Sequence, residues 1–307
     1  MSTVEIRRLA DCTLNDAVQA WNQGFSDYYI DIPMTASLFT RVKYGIEDIH
    51  PDHSFLAYVG GVPVGLLLNG IRSIRGRKVV WNGGTAVAPG FRRLGVGREL
   101  MTRTLEEYRA LRVDSAQLEA VSQNERAIAL YKQFGYRTVE TLHVYGGEVA
   151  EDGGRSTEKR PREASANRAG AYVLRPASPR EAAEMAFHPD PVPWQMQWGS
   201  AKEGQAVIAE DPGTGRTAGY LLYRNAYNEE GKLAATSILQ CCTDGGRQDT
   251  QEILQVLLRS VLSVGGARRV TANAVPDTQP HLMKALDSLG LQRKMQQVHM
   301  ACRPCQE

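Results

Sequence analysis

The sequence predicts a fold of the α/β class, more narrowly of the α+β type, built as two successive units of one design. Two observations predict it. Residues Glu148 to Ala169 are charged, carry Gly and Pro and hold almost no large apolar side chains, which is the composition of a linker. On either side of that segment the same order of strands and helices recurs at a nearly constant offset. Gly65 in VGLLL recurs as Gly219 in AGYLL, and Gly135 recurs as Gly290. The helical set Leu100, Met101, Leu105, Tyr108 and Leu111 recurs as Ile253, Leu254, Leu258, Val261 and Val264. The expected division is a first unit over 1–146, a charged linker over 147–170 and a second unit over 171–307.

Element by element, the first half opens with a strand, because Val4 to Leu9 alternates. Leu14 to Phe25 has helical spacing and leads into the aromatic segment FSDYYIDIPM. His53 to Val59 and Val62 to Ile71 read as strands joined at Gly60 and Gly61. A third strand, Lys78 to Val87, runs directly into VAPGFRRLGVGREL, Val87 to Leu100. After the helix that follows, Ala116, Leu118 and Ala120 alternate as a short strand. A second helix then places Ala127, Leu130, Tyr131 and Phe134 on one face, and Gly135 suits its left-handed C-terminal cap. Tyr136 to Tyr145 is the last expected strand of this half.

Composition narrows the function. The chain has 307 residues, 42% of them apolar, and a formal net charge of +2. Nucleic-acid and membrane-surface proteins concentrate basic charge, so neither partner is expected here. The N-terminus lacks the apolar run of a signal peptide, no stretch resembles a membrane span, and the expected location is the cytoplasm. Cys12, Cys241, Cys242, Cys302 and Cys305 do not make a disulfide framework, and reduced thiols are expected. Cys302 and Cys305 form a CxxC without a second ligand pair, so no metal is expected.

The glycine-rich segment carries the chemistry. A strand that empties through Gly90, Arg92, Gly95 and Gly97 into a helix can hold a pyrophosphate. Glycines allow close approach, successive N–H groups converge on oxygens, and the helix N-terminus adds a positive dipole end. A glycine turn with solvated arginines fits RxxGxG equally well. GVGREL fails the GxGxxG of dinucleotide sites, and no GxxxxGK[ST] is present.

Val87-Ala88-Pro89, then Arg92, Gly95 and Gly97 in R-x-x-G-x-G, then Asn124, Ala127, Tyr131 and Phe134-Gly135-Tyr136, together resemble the GNAT (GCN5-related N-acetyltransferase) superfamily. That resemblance implies a tandem of units, each a mixed, mostly antiparallel sheet splayed in a V and flanked by helices. It implies acetyl-CoA as co-substrate, with contacts from Val87, Ala88, Arg92, Arg93, Leu94, Gly95, Val96, Gly97, Arg98, Asn124 and Tyr131. The acetyl group would lie beside Asn82 to Val87. Tyr131 would face the thioester sulfur as general acid, although it fits a core aromatic as well.

A general base is harder to find, since no Glu or Asp lies between Lys78 and Val87. Glu119 is the candidate, with Asp27, Asp31 and His53 behind it. Phe25, Tyr28, Tyr29, Phe39, Trp81 and Asn82 are expected to line the acceptor pocket, and Asp27 and Asp31 would suit a cationic amine. The same aromatics could be ordinary core.

The second copy has lost these residues. Arg92, Gly95 and Gly97 correspond to Gly245, Gln248 and Thr250, and Tyr131 corresponds to Leu286. One active site per chain is expected, with Trp194 and Trp198 of the second unit supporting it. The expected activity is acetylation of a small-molecule primary amine, with homodimerisation left open. The alternatives are an acyl-CoA-binding regulatory protein and an acetyltransferase acting on protein or peptide N-termini.

Overall fold

The computed structural model describes residues 3–149, 172–189, 192–263, 266 and 268–304. The first half of the chain forms β1 (Val4–Arg8), α1 (Leu14–Gly24), α2 (Ala36–Phe39), β2 (Phe55–Val59), β3 (Val62–Ile74), β4 (Arg77–Val87), α3 (Val96–Ala110), β5 (Ser115–Val121), α4 (Glu125–Gln133) and β6 (Arg137–Val149). The second forms β7 (Val173–Ala177), α5 (Pro179–Ala183), β8 (Gln205–Glu210), β9 (Thr217–Tyr227), β10 (Leu233–Thr243), α6 (Thr250–Leu262), β11 (Arg268–Pro276), α7 (Pro280–Ser288) and β12 (Gln292–Cys302). Of the expected linker, Gly147–Val149 belong to β6 and the remainder lies outside the described residues, as does Cys305.

Local chemistry sets the helix ends. Thr13 caps α1 by accepting from the Asp16 amide at 3.1 Å, and the helix buries Ala17, Ala20 and Trp21. Asn124 caps α4 in the same way through the Ala127 amide at 3.2 Å, and Gly135 ends it with φ 83°. α3 presents Val96, Leu100, Met101, Leu105 and Tyr108 to the core. Thr40–Ile46 winds as a π-helix, which the sequence pattern did not announce.

The chain folds into two compact units, Met1–Glu140 with Gln297–Glu307, and Thr141–Gln296. In the first, β1, β2, β3 and β4 are antiparallel neighbours and β4 runs parallel to β5. Beyond β5 lies the Gln297–Cys302 part of β12, antiparallel to it. The second unit repeats the plan. β7, β8, β9 and β10 are antiparallel neighbours, β10 is parallel to β11, and β11 is antiparallel to Leu142–Val149 of β6.

Thus each half of the chain completes the sheet of the other unit. Tyr136 to Tyr145 does lie largely within a strand, but that strand pairs with β11 and not with β5. Two copies of one design offer equivalent edges, so exchanging their last strands preserves the local pairing and leaves no trace in either strand's own pattern.

Both units open as a V. β4 and β5 pair only at Val79–Trp81 with Ser115–Gln117, and β10 and β11 only at Ala235–Ile238 with Arg269–Ala272. In β4 the register slips, so that Leu68 faces Gly84 while Asn69 faces Asn82 and Gly83 is bulged out. A Cβ at Gly83 would sit 2.4 Å from the Trp81 ring, which restricts the position to glycine. The first unit's core gathers Phe55, Leu67, Leu100, Tyr108, Leu118, Tyr136 and Met300. Among the described residues no helix is long and apolar enough to cross a membrane.

Candidate active site

The loop between β4 and α3 forms an anion cradle. After a turn over Pro89–Phe91, Arg93 and Gly95 both adopt left-handed conformations, at φ 66° and 84°, on either side of the exposed Leu94. Gly95 is the N-cap of α3 and no side chain caps the helix. Among the described residues, the amides of 93–98 donate to no protein acceptor, and the first helical bond starts at Glu99, 3.0 Å from the Gly95 carbonyl. Alternating conformations of this kind turn N–H groups toward one point, and the dipole of α3 reinforces them. The residues therefore fit a pyrophosphate.

The arginines take different places from those the sequence suggested. Arg92 turns its guanidinium away from the cradle and binds Asp27 at 2.6 and 2.7 Å, with further bonds to the carbonyls of Val87 at 2.9 Å and Gly24 at 3.2 Å. Asp27 is therefore held by Arg92, and its carboxyl is depressed chiefly by that hydrogen bond. Arg98 reaches Gln133 at 2.5 Å and lies over the Phe134 ring, bracing α3 against α4. Arg93 is exposed.

Tyr131 is buried on α4. Burial pushes its phenol above the ordinary tyrosine range, against a side-chain hydrogen bond with Thr85 of β4. Tyr28 is pushed up to about 12 by burial, reinforced by the nearby phenols of Tyr131 and Tyr29. Both hydroxyls thus stay protonated throughout the neutral range. Thr85 in turn exchanges hydrogen bonds with Asn82, at 2.8 and 3.0 Å. Its polarity within an otherwise largely apolar strand is the sequence signal that could have identified it.

Glu119 lies on β5 with its Oε2 accepting from the Trp81 indole at 2.7 Å. This brings together the candidate base and one expected pocket aromatic. Phe25 and Tyr28 stack edge to face at 5.1 Å, Tyr28 and Tyr29 at 5.4 Å, and the Tyr29 hydroxyl bonds the Gln123 carbonyl. Asp31 is exposed. Phe39 is fully buried beside Trp21 and Tyr44, so it is core and does not line a pocket.

Asn124 uses its Oδ1 to cap α4 and keeps its amide nitrogen as a donor for a ligand. His53 binds Glu107 at 2.9 Å, eleven residues and roughly 17 Å along α3 from the cradle, which removes it as a base. Sequence reasoning also missed Lys43. It forms a buried 2.7 Å ion pair with Glu47, bonds the bulged Gly83 carbonyl at 3.4 Å and lies 4.2 Å over the Trp21 ring.

The second unit's equivalent loop is filled by its own charges. At the head of α6, Arg247 binds Asp249 at 2.7 and 2.8 Å and Asp211 at 3.4 Å, while the Tyr172 hydroxyl also bonds Asp249. A carboxylate thus stands where a phosphate would have to bind. Leu286 is core, Trp194 is fully buried and Trp198 is half exposed. The opening between β10 and β11 holds a small cavity of about 40 Å³, with Met196, Leu239, Cys242, Val275 and Leu282 in its wall and no charged side chain among its lining residues.

Residues 14–136 match the acetyltransferase (GNAT) family. The chain is 28% identical over 115 residues to N-alpha-acetyltransferase 30 of Dictyostelium discoideum, a match covering 38% of this chain and 61% of that protein. A GCN5-related N-acetyltransferase from Sphaerobacter thermophilus superposes with a TM-score of 0.66 at 16% identity, covering 98% of this chain and 96% of the other. A tandem GNAT protein from the clavulanic acid biosynthesis pathway does so with a TM-score of 0.61 at 16% identity, covering 99% and 100%. At such identities the structures speak to the fold alone, and that fold spans both units. The family match across the cradle and Tyr131 places residues 14–136 in the acetyltransferase (GNAT) family, and the fold of both units is that of the tandem GNAT protein.

Proposed function

We propose that the first unit transfers the acetyl group of acetyl-CoA to a primary amine of a small molecule. The observation that carries this reading is the set of unengaged amides from Arg93 to Arg98, at the head of α3 and beside the opening between β4 and β5. Those amides would hold the pyrophosphate, and the thioester would lie along Asn82 to Val87. The amine attacks the thioester carbonyl, forming the C–N bond, and the C–S bond then breaks. Tyr131, kept protonated by burial, supplies the proton the departing thiolate needs. Glu119, oriented by the Trp81 indole, takes a proton from the amine.

A second reading, acetylation of a peptide α-amine, is favoured by the similarity to an N-alpha-acetyltransferase. Thiol release from acetyl-CoA, measured across polyamines, amino sugars, amino acids and short peptides, separates the two. Saturable release with a small amine supports the proposal, and release with peptides alone supports the second reading. Binding of acetyl-CoA without release from any amine would leave an acyl-CoA-binding protein instead.

A further inference from the structure

The strand that completes the first unit brings a histidine to Glu119. Gln297–Cys302 pairs with β5 so that His299 stands directly opposite Glu119. Side chains of directly opposed residues share a face with Cβ atoms about 5 Å apart. Val298, Met300 and Cys302 pack into the core formed with Leu118 and Ala120, which leaves His299, Glu119 and Gln117 on the other face. His299 is 1% exposed, and its Nδ1 lies 3.4 Å from Glu140 Oε1. Its Nε2 has no hydrogen-bond partner among the described residues. Neither has the buried Oε1 of Gln117, on the same face, nor the buried Oγ of Ser122 just beyond β5. Buried polar atoms are ordinarily satisfied, so the unmatched His299 Nε2 and Gln117 Oε1 on the Glu119 face of the strand pair mark a place where water or a polar ligand belongs.

We propose that His299 is the proton-relay partner of Glu119, a positioning residue supplied by the end of the chain. The inference rests on the acetyl transfer proposed above. An ammonium acceptor that becomes an amide loses two N–H protons. The C–N bond forms, the C–S bond breaks, and one proton ends on the thiol by way of Tyr131. The other must leave. It passes from the amine to Glu119 and through water to Nε2 of His299, and from there to solvent. Glu119 from β5 and Glu140 from β6 are the charged groups facing the imidazole.

The full-length chain and its His299→Gln and Glu119→Gln variants test this, using the acceptor found in the amine screen. His299→Gln is expected to lower kcat about tenfold or more, to leave the KM for acetyl-CoA within about twofold, and to remove the acid limb of the kcat profile between about pH 5.5 and 9.5. An unchanged profile overturns the relay. A second measurement needs neither a His299 variant nor an acceptor. The His299 ring, followed by nitrogen NMR, is expected to titrate at lower pH in Glu119→Gln than in wild type, because a facing negative charge is gone. Identical titrations overturn the proposal. If no amine supports thiol release from wild type, the transfer reading itself fails, and the ring titration still decides whether the two groups are coupled.

Discussion

Arg92 and Asp27 are locked together, two charge-assisted bonds of 2.6 and 2.7 Å tying the phosphate loop to the segment that follows α1. Each side chain is more than a third exposed, so the pair contributes at most about 1 kcal/mol to stability. Its effect falls on loop geometry, since the same guanidinium holds the Val87 and Gly24 carbonyls. Asp27→Ala is expected to raise the KM for acetyl-CoA several-fold while the acceptor KM changes little. Steady-state kinetics with each substrate varied in turn checks this. A rise confined to the acceptor KM would instead place Asp27 against the amine.

Tyr131→Phe removes a hydroxyl and little else from a buried site. The expected result is a fall in kcat of about 100-fold or more with acetyl-CoA affinity preserved, as for loss of a general acid. Equal kcat values for the two proteins would reduce Tyr131 to a core aromatic.

The second unit predicts a pH effect. Asp249 has its carboxyl pulled down to about 2, first by the hydrogen bond from Arg247 and then by that from Tyr172. A group with a depressed folded value contributes stability that is fully present above the ordinary Asp value near 3.9 and is lost as pH falls through about 2. Asp249→Asn should therefore flatten the decline in unfolding temperature between those limits, as followed by circular dichroism. An acid limb identical to wild type would remove this pair from the acid response.

Lys43 and Glu47 are 5% and 7% exposed, so removing one partner leaves the other charged and buried. Lys43→Met is expected to cost about 3–5 kcal/mol by urea unfolding, and the double variant Lys43→Met with Glu47→Leu substantially less. Equal losses would show that the pair's mutual attraction is not what matters.

Features written in contiguous residues were legible in the sequence. The cradle follows from Gly95 and Gly97 between a strand and a helix, and the end of α4 follows from Gly135. The departure of the second loop from R-x-x-G-x-G was visible in Gln248 and Thr250. Long-range choices were not. The sequence names Asp27 and Arg92 separately, and only the fold makes them partners rather than an acceptor site and a phosphate ligand. His53 was plausible until Glu107 claimed it from a turn far along α3. The exchange of β6 and β12 was illegible for a physical reason, since each strand carries the alternation that either edge accepts. His299 stayed hidden for the same reason, lying in the half of the chain that lacks the R-x-x-G-x-G motif.

The amides of 93–98 are the proposed acetyl-CoA site. Leu94 is 61% exposed between Arg93 and Gly95, so Leu94→Asp sets a carboxylate at the cradle, as Asp249 does in the second unit, without disturbing the core. Isothermal calorimetry of acetyl-CoA is predicted to give one site per wild-type chain and at least about tenfold weaker binding to Leu94→Asp, with unfolding temperatures alike, since each 1.4 kcal/mol of repulsion is tenfold in affinity. Two sites per chain, or undiminished affinity in the variant, would contradict the account.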